Sequence, residues 1–145
     1  MKLPALPRIT EINAPASWRI VDFISDLHLG ADTPATFTAW RLYMESTPAD
    51  AVFILGDLFE VWLGDDAVSD DAVSDDAVSA AVPLPSASFE DHCARVLGHT
   101  ARRLALFFMH GNRDFLVGQR LMDICGASLL ADPTVLIFEG QHWLL

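Results

Sequence analysis

The sequence predicts an α/β fold built in layers. Three apolar runs, residues 19 to 24, 51 to 55 and 104 to 109, have the length of strands and place apolar residues on both faces, as strands covered on both sides do. Segments with helical spacing lie between them, and each run ends in a short polar motif. Alternation of strand and helix argues a parallel sheet with helices packed on it.

The elements follow in order. Residues 1 to 18 carry Lys2, but Pro4, Pro7 and Pro15 break them up, so a loose leader is expected there and not a signal peptide. After the first strand, Thr33 before Pro34 reads as an N-cap with proline at the first helical position. Phe37, Trp40 and Met44 give that helix one apolar face, and Pro48 ends it. Gly56 closes the second strand. A linker with Pro83 and Pro85 leads to a helix over 89–103, and the third strand follows. Phe115, Met122 and Cys125 mark the next helical face, with Gly126 as its C-cap. Residues 134 to 138, the turn Glu139-Gly140 and residues 142 to 145 predict a hairpin.

Residues 65 to 79 read Asp-Asp-Ala-Val-Ser three times without a mismatch. A period of five matches neither helix nor strand, so the expectation is a tandem insertion in a solvated loop, where closure entropy grows only with the logarithm of length. The repeat lacks the glycine turns of calcium-binding acidic repeats.

Composition narrows the function classes. The 145 residues are 52% hydrophobic, enough for a core, and the net charge of −11 speaks against binding a nucleic-acid backbone. Acidic loops do suit divalent cations. Cys93 and Cys125 are too few for a disulfide framework and are expected as buried thiols of a reducing compartment. No apolar run reaches the roughly 18 residues of a spanning helix.

The residues that carry chemistry stand at the ends of the three strands. Asp26 and His28 are two apart after the first; in extended chain such positions face the same way, so both can reach one ion. A carboxylate with an imidazole suits manganese, iron or zinc. Asp57 follows Gly56 after the second strand, and its two oxygens can bridge ions about 3.5–4 Å apart. Gly111-Asn112-Arg113-Asp114 follows the third. Asn112 offers a neutral carbonyl oxygen, and Arg113 a rigid donor fork for a phosphate. Asp114 is either an N-cap for the next helix or an acceptor behind the ligands. Each motif alone is also an ordinary turn. Their joint occurrence at one end of the sheet, where α/β folds place their sites, points to a metal centre for phosphoester cleavage.

With these residues in view, the sequence resembles the calcineurin-like metallophosphoesterases. The likeness rests on Ile24-Ser25-Asp26-Leu27-His28-Leu29, on residues 54 to 62 (ILGDLFEVW), on Gly64-Asp65-Asp66 and on residues 109 to 116 (MHGNRDFL). Arg113 narrows it, since most of the superfamily has histidine there, and Leu129-Leu130-Ala131-Asp132-Pro133 fits the same branch, which acts on UDP-2,3-diacylglucosamine in lipid A biosynthesis. The likeness covers about residues 20 to 145 apart from the repeat. It implies a partial domain over 19–145, the N-terminal half of a four-layer α/β/β/α sandwich. It implies two divalent ions, manganese for preference, with Asp26 and His28 on the first, Asp57 between them and Asn112 on the second. Asn112 and Arg113 would contact the substrate phosphate, and catalysis would depend on Asp57, Asn112 and Arg113. The implied reaction is hydrolysis of the pyrophosphate to UMP and 2,3-diacylglucosamine 1-phosphate, by a protein peripheral on the cytoplasmic face of the inner membrane.

The family pattern adds three histidines, in a Gly-His and a Gly-His-x-His motif, that do not occur before Leu145. The chain is therefore expected to behave as an N-terminal piece with four ligands and little activity alone. Two alternatives stand beside this: another phosphodiester or nucleotide substrate, against which Arg113 and Glu60-Val61-Trp62 argue, and a non-catalytic metal-binding remnant. Gly98-His99-Thr100 imitates the last motif, but Ala101 replaces its second histidine, so His99, like His92, is expected at the surface. His110 is expected to pack or orient its loop, and His142 to be structural.

Overall fold

The computed structural model describes residues 9–74 and 87–145. Seven strands and three α-helices occur among them: β1 (Thr10–Asn13), β2 (Val21–Ile24), α1 (Pro34–Ser46), β3 (Ala51–Leu55), α2 (Phe89–Ala101), β4 (Ala105–Met109), α3 (Gln119–Cys125), β5 (Ser128–Leu130), β6 (Thr134–Phe138) and β7 (Gln141–Leu144), with a short 3-10 turn at Asp65–Ala67. They form a parallel sheet in the order β2-β3-β4-β5 and a three-stranded sheet in the order β1-β6-β7.

Pleat alternation divides the apolar strands between two cores. Val52 and Ile54 of β3 and Leu106 and Phe108 of β4 face the helices, where they meet Trp40, Met44, Val96, Leu97 and Met122. Ala51, Phe53 and Met109 face the second sheet and Leu136. Phe53 stacks on Phe107 at 4.5 Å, and Trp18 meets both edge-on. The described residues thus make three layers: helices, parallel sheet, second sheet.

Several expectations are corrected. The loose leader does not hold over its described part, because Thr10–Asn13 pairs in parallel with Thr134–Ile137. The first strand is shorter than residues 19–24 and lies at a sheet edge, so Phe23 stays 41% exposed rather than covered on both sides. Arg19 and Ile20 donate their amides to the Asp50 carboxylate instead of to a neighbouring strand, and these two bonds hold Asp50 below the usual carboxylate range. Thr33 precedes α1 as expected, but its hydroxyl returns to Gly30 O and caps no helix amide. Residues 128–130 form a strand that the apolar pattern did not single out, and Phe115 lies outside α3, 63% exposed. The hairpin is present, turning at Glu139 and Gly140, both at positive φ.

The repeat is the largest correction. Its first copy is structural and not a solvated insertion: Val68 is 1% exposed within the helix-side core, and Ala72 of the second copy is buried there too. The Asp65 carboxylate accepts from Trp62 Nε1, Gly118 N and Leu121 N, capping α3 from outside it. Asp91, third residue of α2, closes a capping box with Ser88 and also accepts from Ser69 N at 2.8 Å. Burial alone would raise its pKa, but these bonds hold it below the usual value. A five-residue period still places single residues inward when donors on neighbouring elements fix it point by point. The third copy, the linker prolines 83 and 85 and residues 1–8 lie outside the described residues.

Cys93 and Cys125 are buried as expected, and burial pushes the Cys125 thiol up to about 12 and Cys93 well above its ordinary value. His99 is not a surface histidine. It is half-buried, its Nε2 is enclosed with no hydrogen-bond partner among the described residues, and burial with Arg102 and Arg95 nearby lowers its pKa.

The two described copies carry a contrast that can be measured. Asp65→Ala removes the acceptor of Gly118 N and Leu121 N and is expected to cost about 1–2 kcal/mol in urea unfolding. Asp70→Ala removes only an ion pair with Arg120 at an aspartate side chain 91% exposed, and is expected to stay within about 0.5 kcal/mol of the parent.

Candidate metal centre

The site sits where β2, β3 and β4 end. Beyond Ile24 the chain leaves the sheet but stays zipped to the loop after β3: Asp26 N donates to Gly56 O at 3.1 Å, His28 N to Asp57 O at 3.1 Å and Leu29 N to Leu58 O at 2.8 Å. Three residues in this zipper occupy the left-handed region, Asp26 (φ 56°), His28 (φ 50°) and Asp57 (φ 52°). Residues with a side chain are uncommon there, and such backbone persists only where its surroundings over-determine it. These three are also the residues whose ligand atoms lie within 4.8 Å of one another. Asp26 and His28 therefore do not converge as alternate residues of an extended strand, as the sequence suggested; both turn toward Asp57 through left-handed backbone.

The loop after β4 closes the site from the other side, and two glycines set the approach. A Cβ on Gly56 would lie 2.8 Å from Gly111 Cα, and one on Gly111 would lie 2.1 Å from Asp57 Oδ1. Neither position has room for a side chain. Behind this crossing lies Asp114, fully buried. Its carboxylate accepts from Gly111 N at 2.7 Å, Leu58 N at 2.8 Å and Asp57 N at 3.3 Å. Asp114 thus caps no helix, since α3 starts five residues later at Gln119; it ties the β3 and β4 loops together. His110 braces the same loop, with Nε2 at 2.5 Å from Val117 O and its ring edge-on to Phe108.

The exposed side of the site carries Arg113 and Asn112. Arg113 N donates to Asp57 Oδ1 at 2.9 Å, which places Arg113 directly beside a candidate ligand. Its guanidinium reaches Glu60 Oε1 at 2.8 Å and is half-exposed. Asn112 is exposed on the same loop, between Gly111 and Arg113, the two residues whose backbone lies against Asp57. Glu60 entered the sequence reading only as part of the motif over 54–62, with no role at the site, although its place three residues after Asp57 was a signal. Its other oxygen, Oε2, meets His28 Nδ1 at 2.8 Å. His142 is exposed on β7.

The donor set fits a divalent cation. Two carboxylates and an imidazole converge from separate loops, and two carboxylates held this close repel each other unless a cation lies between them. No helix among the described residues is long and apolar enough to cross a membrane.

Parallel sheet, covering helices, second sheet and loop-borne donors form the setting of a candidate metal centre at the strand ends. No protein-family model matches the chain. Its relatives are UDP-2,3-diacylglucosamine hydrolases. The chain is 38% identical over 125 residues to that of Shewanella sp. (strain ANA-3), covering 85% of this chain and 45% of the relative. It is 38% identical over 125 residues to that of Stutzerimonas stutzeri (strain A1501), covering 84% and 45%. It is 41% identical over 126 residues to that of Coxiella burnetii (strain Dugway 5J108-111), covering 85% and 44%. The chain thus spans less than half the length of these relatives.

The glycine crossing makes a direct prediction. Gly111→Ala forces a methyl group onto the Asp57 carboxylate and is expected to destabilise the chain by about 2 kcal/mol or more in urea unfolding. Gly140→Ala is the control: its Cβ would meet nothing within 4 Å, and it would carry only the strain of its positive φ.

Proposed function

We propose that these residues form one side of a metal-dependent phosphohydrolase site, and that the protein hydrolyses the pyrophosphate of UDP-2,3-diacylglucosamine to UMP and 2,3-diacylglucosamine 1-phosphate. One observation carries the reading: Arg113 touches Asp57 through its backbone while its guanidinium stands half-exposed beside the Asp26–His28–Asp57 cluster. A carboxylate suited to a cation and the residue that bears a phosphate-gripping guanidinium are thereby joined by one backbone hydrogen bond. The names of the relatives supply the substrate.

In this reading Asp26 and His28 would hold a first ion, Asn112 a second through its amide oxygen, and Asp57 would serve both. Manganese suits this mixture of carboxylate, imidazole and amide donors. Bound there, the ions lower the pKa of water and neutralise charge on the phosphoryl oxygens. Arg113 orients a phosphate oxygen with the guanidinium donors that Glu60 leaves unused, and Asn112 donates to the same phosphate through its amide nitrogen. Gly111 keeps the approach to Asp57 open.

An apolar rim favours a lipid-linked substrate over a free nucleotide. Val61 and Leu63 follow Glu60, Phe115 and Leu116 follow Arg113, and all four are exposed, Leu63 at 82%. Exposed apolar residues that follow Glu60 and Arg113 so closely in the chain suit acyl chains and a peripheral stance at the cytoplasmic face of the inner membrane.

The test joins this chain in frame to the part of the Shewanella relative that it does not match. The chimera is expected to release UMP from UDP-2,3-diacylglucosamine with manganese, and Asp57→Ala to lower the rate at least about 100-fold. The 145-residue chain alone is expected to stay near background. A folded, manganese-binding chimera that releases no UMP would overturn the substrate assignment.

A further inference from the structure

We infer that Glu60 is a positioning residue that sets the tautomer of His28 and the direction of Arg113 at once, coupling the metal-holding side of the site to its phosphate-holding side. This rests on the metal reading proposed above. The carboxylate divides its oxygens: Oε2 is 2.8 Å from His28 Nδ1, and Oε1 accepts from Arg113 Nη1 at 2.8 Å. A carboxylate beside an arginine only accepts, so Nδ1 carries the ring proton and donates it. The Nε2 lone pair of the neutral ring is then the one left for an ion. The same carboxylate withdraws one guanidinium donor and leaves the rest of the fork for a phosphate oxygen.

Stability does not account for this arrangement. The side chains of His28, Glu60 and Arg113 are 38%, 44% and 48% exposed, and ion pairs so open to water contribute little to folding. What the pair fixes is direction. His28 stands on left-handed backbone and Arg113 on the loop after β4, and Glu60, on the loop after β3, is the side chain that hydrogen-bonds to both. Glutamine cannot take over both bonds, since its single amide oxygen faces two donors. Oriented toward Arg113, it turns its NH₂ to His28 Nδ1, which must then accept, and the proton moves to Nε2. Aspartate keeps both acceptor oxygens on a shorter stem.

The experiment uses the 145-residue chain and reads two quantities. Ring ¹⁵N spectra of His28 give the tautomer. Loss of the free Mn²⁺ spin-resonance signal gives the affinity. The parent is expected as the Nδ1–H tautomer. Glu60→Gln is expected to shift it toward Nε2–H and to weaken Mn²⁺ binding about 10–100-fold, with unchanged circular dichroism. Glu60→Asp is expected to recover part of both. An unchanged tautomer in Glu60→Gln overturns the inference, as does unchanged Mn²⁺ affinity. If the parent chain takes up no Mn²⁺, the metal reading fails, and the tautomer shift alone still decides for or against the role of Glu60.

Discussion

The site depends on how closely two backbones pass. β3 and β4 are neighbours in a parallel sheet, with Leu55 opposite Met109, so their exits leave the sheet side by side. Gly56, one residue beyond Leu55, and Gly111, two beyond Met109, cross where a single Cβ on either would strike the other loop. The crossing brings Gly111 against the Asp57 carboxylate and holds the Arg113 amide on it. Asp26 and His28 then hang from the carbonyls of Gly56 and Asp57. The ligand geometry is thus a consequence of main-chain packing, and the side chains inherit it.

Charge is divided along the same lines. Several acids of this acidic chain serve as acceptors for the fold: Asp114 for loop amides, Asp65 for the start of α3, Asp91 for the Ser88 amide at the start of α2, and Asp22 for the hydroxyls of Tyr43 on α1 and Thr47 just after it. A buried carboxylate is tolerated when backbone amides satisfy it, and Asp114 meets that condition while fully enclosed. Asp26 and Asp57 are placed differently, facing each other and an imidazole. The net charge of −11 therefore says little about function by itself. The informative quantity is which acids are left pointing at one another once the structural acids have found donors.

The sequence revealed those parts of the fold that are locally encoded. β3 and β4 were legible because both faces are covered, so every residue is apolar. The end of α1 at Pro48 and the C-cap of α3 at Gly126 were legible because proline and glycine act locally. β1 was not. It is four residues long and mostly polar, and its partner β6 lies more than a hundred residues away, so its stability comes from a pairing that no local window contains. The repeat misled for a related reason. Its period excludes a regular face, yet Val68 and Asp65 are fixed singly, by the core and by amides of a distant helix. At the site the residue types were legible and the geometry was not. Left-handed backbone at Asp26, His28 and Asp57 contradicts local preference, and only contacts between loops can impose it.

That contradiction has an energetic meaning. Each residue with a side chain in the left-handed region costs on the order of 1 kcal/mol, and three occur within one cluster. Net backbone hydrogen bonds of about 1 kcal/mol each, from Asp26, His28 and Leu29 to the β3 loop, offset a cost of this size. The balance leaves little stability to spare at the ligands, while the buried crossing beneath them stays fixed. Burial follows the same gradient, with Asp57 buried, His28 half-buried and Asp26 exposed. A rigid inner carboxylate with outer donors on strained turns can adjust its open side to a cation without disturbing the sheet. This places adaptability at Asp26 and His28 and precision at Asp57, the residue whose carboxylate also accepts from the Arg113 amide.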